Sequence, residues 1–173
     1  GPSIAHQFRP QLFRLYEATG NTVDLSTLAD GEVLFLDRFL AEHQDRAAAD
    51  VGVRYPAYTM ATGKALLAGL DNDQIRSMYG QGILERLTPV TVATVDELIA
   101  QLDAIRAGGF AYDVEEHKLN SCAIGLPVGV YGSTPLAISV VVSTQKYAHE
   151  KHFLERALRA SASDFTNRLN LAL

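Results

Sequence analysis

Apolar positions Ile4, Ala5, Phe8, Leu12, Leu15 and Tyr16 recur at helical spacing, and Gly20-Asn21 ends the run with residues that tolerate positive φ. The spacing predicts an opening helix. In "TVDLSTLADGEVLFLDRF" two β-rich runs flank Asp30-Gly31, the dipeptide favoured in a two-residue type I′ hairpin turn. Residues 41–57 lose this periodicity and mix charge with glycine and proline, so a loop or weakly ordered flap is expected. "TMATGKALLAGL" then predicts a helix starting near Thr59 or Thr62, either able to cap it, with Ala65, Leu66, Leu67 and Leu70 on its buried side. A short helix is expected over 71–79.

"TVDELIAQLDAIRAGG" opens with a capping box, Thr94 and Glu97, carries Leu98, Leu102 and Ile105 on one stripe, and stops at Gly108-Gly109. Three strand-like segments follow, "FAYDV", "AIGLPVGV" and "LAISVVVS", the last two separated by a "YGSTP" turn, and they predict an antiparallel meander. From His149 to Leu173, Phe153, Leu154, Ala157, Leu158, Phe165 and Leu169 share one side of a long closing helix. Hairpins at both ends with helices between and outside them argue for an α+β domain, one mainly antiparallel sheet covered by helices. A half-covered sheet of this kind leaves room for a small-molecule pocket between sheet and crossing segments.

The chain has 173 residues, enough for one domain with a substantial core. Gly1-Pro2-Ser3 read as a cloning or protease scar, so a single domain over residues 4–173 is expected. A formal net charge of −5 gives no broad positive field, which disfavours direct electrostatic binding of nucleic acid. One cysteine excludes an intrachain disulfide and the cysteine-rich zinc sites, and fits a cytoplasmic address. No apolar run approaches the length needed to span a bilayer.

"TGKA" resembles the end of a phosphate-binding loop, but GxxxxGK[ST] needs a glycine where Tyr58 stands and a hydroxyl where Ala65 stands. The nucleotide reading loses its mechanism, and no cofactor is expected. Lys64, early in its helix, is expected to reach solvent or pair with a carboxylate. His149 and His152 sit three apart on a helix without the HExxH spacing and without a third ligand, so a solvated helix start is expected there and no metal. Cys122, His117 and either Asp113 or Glu116 could supply nucleophile, base and orienter, which leaves a small cysteine-dependent hydrolase or reductase as an alternative.

Three blocks stand in fixed order: "YPAYTMATGKALLAGL", "LERLTPVT" and "GGFAYDVEEHKLNSCAIGLPV". Together with the following "AISV" strand and closing helix they cover almost the whole chain. They resemble the effector-binding domain of the IclR family of bacterial transcriptional regulators, marked by a xGKALLA helix, an R-x-TP-x-T segment and a G-[YF]-A-x-D-x-EE strand. The resemblance implies a GAF-like α+β sensor without catalytic turnover, forming homodimers or homotetramers and answering to a small-molecule effector. No winged helix-turn-helix fits within this chain, so DNA contact is expected only through an N-terminal domain outside it.

The resemblance also implies pocket positions. Ala61, Thr62 and Gly63 fall at the start of the GK helix, and Asp113 matches the family's aspartate. Counting without a gap puts Ala123 where the family often has cysteine, with Cys122 one place earlier and so on the opposite strand face. Ser139 matches the first pocket serine, whereas the second position is Val141. A floor short of one thiol and one hydroxyl implies a larger or aromatic effector, a carboxylic acid held by helix-terminus N–H groups and Ser139, with Tyr55 and Tyr58 as candidate aromatic walls.

Overall fold

The two terminal helical repeats form α1 (Ile4–Thr19) and α5 (Thr144–Leu171), which pack together on one face of a six-stranded sheet. The computed structural model describes residues 3–42, 52–80 and 82–171. Ser3 caps α1 by accepting the His6 N–H at 3.2 Å, and Gly20 ends it at φ 66 with its N–H on the Tyr16 carbonyl. Both ends follow the usual satisfaction of orphan backbone groups.

β1 (Thr22–Ala29) and β2 (Glu32–Phe39) form the expected hairpin, and Asp30 and Gly31 both take positive φ, 53° and 78°. β4 (Ala111–Val114), β5 (Ser121–Tyr131) and β6 (Thr134–Ser143) form the meander. Antiparallel pairing of β1 with β6 joins the two units, and β3 (Arg54–Pro56) adds an edge, giving the order β3-β2-β1-β6-β5-β4. The strand β3 corrects the loop expected across 41–57. Three residues are too few to show alternation, and Pro56 is tolerated because it ends an edge strand. The part of that loop at 43–51 lies outside the described residues.

Alternation along the strands builds two cores. Val23, Ile124, Leu126, Ile138 and Val140 face α1 and α5, where they meet Phe8, Leu12, Leu154 and Phe165. Phe8 and Phe165 stack at 5.5 Å between centroids. Each fully buried side chain of this size contributes about 1.5–3 kcal/mol relative to exposure. On the other face Val33, Phe35, Ala123 and Ala137 meet Ala61 and Ala65 of α2 (Ala61–Leu67) and Leu98 and Leu102 of α4 (Val95–Arg106). The sheet is therefore covered on both faces, not half-covered.

Small residues bring α2 close to the strands: a Cβ at Gly125 would lie 3.2 Å from the Ala61 carbonyl carbon. No side chain caps α2; Met60 takes the N-cap position, and the Thr59 hydroxyl instead bonds the Pro56 carbonyl at 2.9 Å within the 3-10 turn Ala57–Thr59. This corrects the expected threonine cap. α3 (Asn72–Tyr79) carries a reciprocal capping box between Asp71 and Gln74. In α4, Thr94 accepts the Glu97 N–H, but the Glu97 carboxylate reaches back to Ala93 N rather than to Thr94. α5 starts at Thr144, with Ser143 accepting the Lys146 N–H, so His149 and His152 lie beyond its first turn and not at its start. His152 meets Glu155 at 3.2 Å and is otherwise exposed.

Candidate functional site

Beside the first turn of α2, the sheet forms the floor of a cavity of about 370 Å³. Cross-strand register arranges this floor in two rows. One runs Asp113, Ala123, Val141 across β4, β5 and β6; the next runs Gly125, Ser139, Asp24, Arg38 across β5, β6, β1 and β2. A β-bulge decides the last of these positions. Leu25 pairs with Asp37 but Ser26 pairs with Phe35, which leaves Leu36 as the extra residue and brings Phe35 and Arg38 to the same face.

Asp24 is fully buried and accepts hydrogen bonds from Ser139 Oγ at 2.9 Å and Ser26 Oγ at 3.2 Å. Burial raises its pKa, opposed by the positive charge of Arg38 and by both hydroxyl bonds. Over the floor stand Tyr55, Met60, Ala61 and Thr62, with His117 at the side. The rings of Tyr55 and His117 meet edge to face at 5.1 Å, and the Thr59 hydroxyl lies 3.0 Å from His117 Nδ1. Burial, then Lys118 and Arg38, lower the His117 pKa, which favours a neutral imidazole at neutral pH. The Thr62 hydroxyl is buried at 1% exposure and, among the described residues, has no hydrogen-bond partner.

Asp113 Oδ1 accepts the backbone N–H groups of Glu116 at 2.8 Å and His117 at 3.1 Å, which shapes the turn after β4. Burial pushes the Asp113 carboxyl up to about 7 even though those two bonds and Lys64 favour its charge. The folded chain thus holds this proton more tightly than an unfolded carboxyl near 3.9 would. Asp113 contributes stability that is complete below about pH 4 and is lost as pH rises through about 7. Asp113→Asn is expected to flatten this slope, so that melting temperature falls less between about pH 5 and about pH 8 than in the unaltered chain. An unchanged slope would refute the assignment.

Behind the cavity wall, Lys64 is 1% exposed and places its ammonium on the Glu116 carboxylate and on the Tyr112 carbonyl at 3.0 Å. Of the two outcomes expected for this lysine, carboxylate pairing is the one found. The second Glu116 oxygen accepts Val92 N at 2.9 Å, Thr91 Oγ1 bonds the Glu116 carbonyl at 2.6 Å, and Thr88 Oγ1 bonds the Glu115 carbonyl at 2.7 Å. The TP-x-T segment thereby fastens the acidic turn, and the acidic turn fastens α2.

Ala61, Thr62, Asp113, Ala123, Ser139, Val141 and Tyr55 all line the cavity. Of the remaining candidates, Gly63 and Tyr58 differ from expectation, and Cys122 takes the face opposite Ala123 that the strand count implied. Gly63 faces away, against Ala57, because the 3-10 turn folds back onto the helix. Cys122 points to the opposite face, fully buried among the α1/α5 core and 3.5 Å from Thr144 Oγ1; burial raises its pKa. His117 lines the cavity on the other side of the sheet, so the two do not form a nucleophile and base. Tyr58 supplies no wall: its hydroxyl donates to the Glu85 carbonyl at 2.7 Å and its ring packs on Tyr79. Conversely, Asp24, Phe35 and Arg38 join the cavity from strands outside the three motif blocks.

The family model described as the bacterial transcriptional regulator IclR C-terminal domain matches residues 2–167. The chain belongs to the IclR family. This IclR domain is 32% identical over 163 residues to the HTH-type transcriptional regulator Rv1719 of Mycobacterium tuberculosis, covering 92% of this chain and 61% of that protein. It is also 32% identical over 178 residues to the DNA-binding transcriptional repressor YiaJ of Escherichia coli, covering 99% and 62%. The chain therefore spans less than two thirds of either relative. Its fold matches the inducer-binding domain of Acinetobacter PobR, a double mutant solved with 3-hydroxybenzoic acid, at a TM-score of 0.80 and 26% identity, covering 95% of this chain and 98% of that one. The GAF-like sheet and its helices are thus those of an IclR C-terminal domain.

Proposed function

We propose that this domain senses a small organic carboxylic acid with an aromatic body, without catalytic turnover, for a bacterial DNA-binding transcriptional regulator. The observation that carries the reading is a cavity of about 370 Å³ at the start of α2, with Asp24, Asp113 and Ser139 in its floor and Phe35 and Tyr55 among its lining residues. A volume of this order suits a compact ligand. Phe35, Tyr55, Met60 and Val141 provide apolar and aromatic wall, and PobR's complex with 3-hydroxybenzoic acid supports the chemical class. Ser139 donates its hydrogen to Asp24, so toward a ligand it offers lone pairs. In the whole regulator the domain would work in the cytoplasm as a homodimer or homotetramer and reach DNA through an N-terminal domain outside this chain.

A thermal-shift panel of aromatic and aliphatic acids, with 3-hydroxybenzoate as first probe, tests the reading. At about 100 times Kd a ligand adds roughly 2.7 kcal/mol, which for a domain of this size raises the melting temperature by roughly 5–10 °C. Ala123→Leu, which fills the floor, is expected to abolish the shift. No shift with any acid, or a full shift in the filled variant, would overturn the proposal.

A further inference from the structure

We infer that His117 sets the specificity of the cavity: its Nε2 accepts a hydrogen bond from a ring hydroxyl of the effector, so a hydroxylated aromatic acid binds in preference to one without that hydroxyl; this rests on the sensing role proposed above. The single hydrogen of the Thr59 hydroxyl decides the state of the ring. Thr59 donates that hydrogen to the Pro56 carbonyl at 2.9 Å. The same oxygen lies 3.0 Å from His117 Nδ1, so there it accepts, and Nδ1 carries the ring hydrogen. Burial, then Lys118 and Arg38, favour the neutral imidazole, which has one N–H. Nε2 therefore presents a lone pair, and among the described residues no hydrogen bond reaches it.

The ring is also fixed in place. His117 lines the cavity, its ring meets that of Tyr55 edge to face at 5.1 Å, and its backbone N–H bonds Asp113 Oδ1 at 3.1 Å. Thr59, which anchors Nδ1, is fully buried in the 3-10 turn that leads into α2. An acceptor held by its own neighbours needs little further ordering when a ligand arrives.

The polar groups of the floor discriminate less. Ser139 and Ser26 already bond Asp24, whose carboxylate also feels the Arg38 charge. Asp113 engages one oxygen with two backbone N–H groups, and its pKa of about 7 makes the other a donor or an acceptor according to pH. His117 Nε2 is an acceptor through neutral pH, because the ring's pKa is lowered. A ligand hydroxyl satisfies it, whereas a fluorine at the same ring position leaves it desolvated without a donor.

Calorimetric titration of 3- and 4-hydroxybenzoate beside 3- and 4-fluorobenzoate tests the assignment. In the unaltered chain at least one hydroxy acid is expected to bind about five- to tenfold tighter than its fluoro partner. His117→Phe should bring that ratio to about one, whereas His117→Gln, whose amide oxygen can stand in for Nε2, should keep most of it. Nitrogen-15 spectra of the histidine-labelled unaltered chain should show the His117 hydrogen on Nδ1 and none on Nε2. The opposite tautomer, or no preference for either hydroxy acid in the unaltered chain, would overturn the assignment. So would a ratio that survives in His117→Phe, which would place the hydroxyl on another acceptor such as Asp113. Each of these results leaves the cavity as the effector site as long as an acid binds there. Failure of every acid in the panel to bind the unaltered chain would overturn the sensing role and this assignment together.

Discussion

Replacing Gly63 with alanine is expected to lower the stability of the domain by about 3 kcal/mol or more, among the larger effects a single methyl group can have. A Cβ at Gly63 would lie 1.9 Å from the Ala57 carbonyl oxygen and 2.5 Å from its carbon. These are backbone atoms of the turn that leads into α2, so no side-chain rotation relieves the clash; turn and helix must separate. Gly20→Ala makes a useful control, because Gly20 has positive φ but nothing within 4 Å of a new Cβ, and its cost should stay near 1 kcal/mol. Urea unfolding of both variants gives the comparison. Equal costs would show that the contact with Ala57 is not what requires glycine.

Lys64→Met is expected to cost about 3–5 kcal/mol, because Glu116 then keeps its charge in a buried setting without its ammonium partner. The pair need not be a large net gain for this to hold, since the loss comes from stranding one member. In Lys64→Met combined with Glu116→Gln, the stranded charge disappears and an acceptor for Val92 N remains. The double variant should recover a large part of the loss, and a double-mutant cycle measures the coupling directly. A cost below about 1 kcal/mol for Lys64→Met would show that Glu116 finds solvent or another partner.

Local chemistry made much of the fold legible. Asp30-Gly31 required a tight turn, Thr94 marked the start of α4, and alternation alone separated Cys122 from Ala123. The missed features arise from pairing at long range. Nothing in "EVLFLDRF" marks Leu36 as an inserted residue, because the bulge exists only relative to β1. Asp24 and Ser139 are 115 residues apart and meet because β1 and β6 are neighbours, a pairing that neither segment announces. Gly63 was legible as part of the start of the GK helix, but its neighbour was not: the helix closes on its own preceding turn, and Gly63 is absent from the cavity lining.

The two-faced sheet has a consequence for signal transfer. Asp24 lies between Val23 and Leu25, and Ser139 between Ile138 and Val140; the central residues floor the cavity, and their neighbours seat α1 and α5. The sheet is thus a shared wall, one backbone thick, between the chamber and the terminal helices. If an effector tilted β1 or β6, the bed of α1 or of α5 would move in the same act, with the wall itself as the lever.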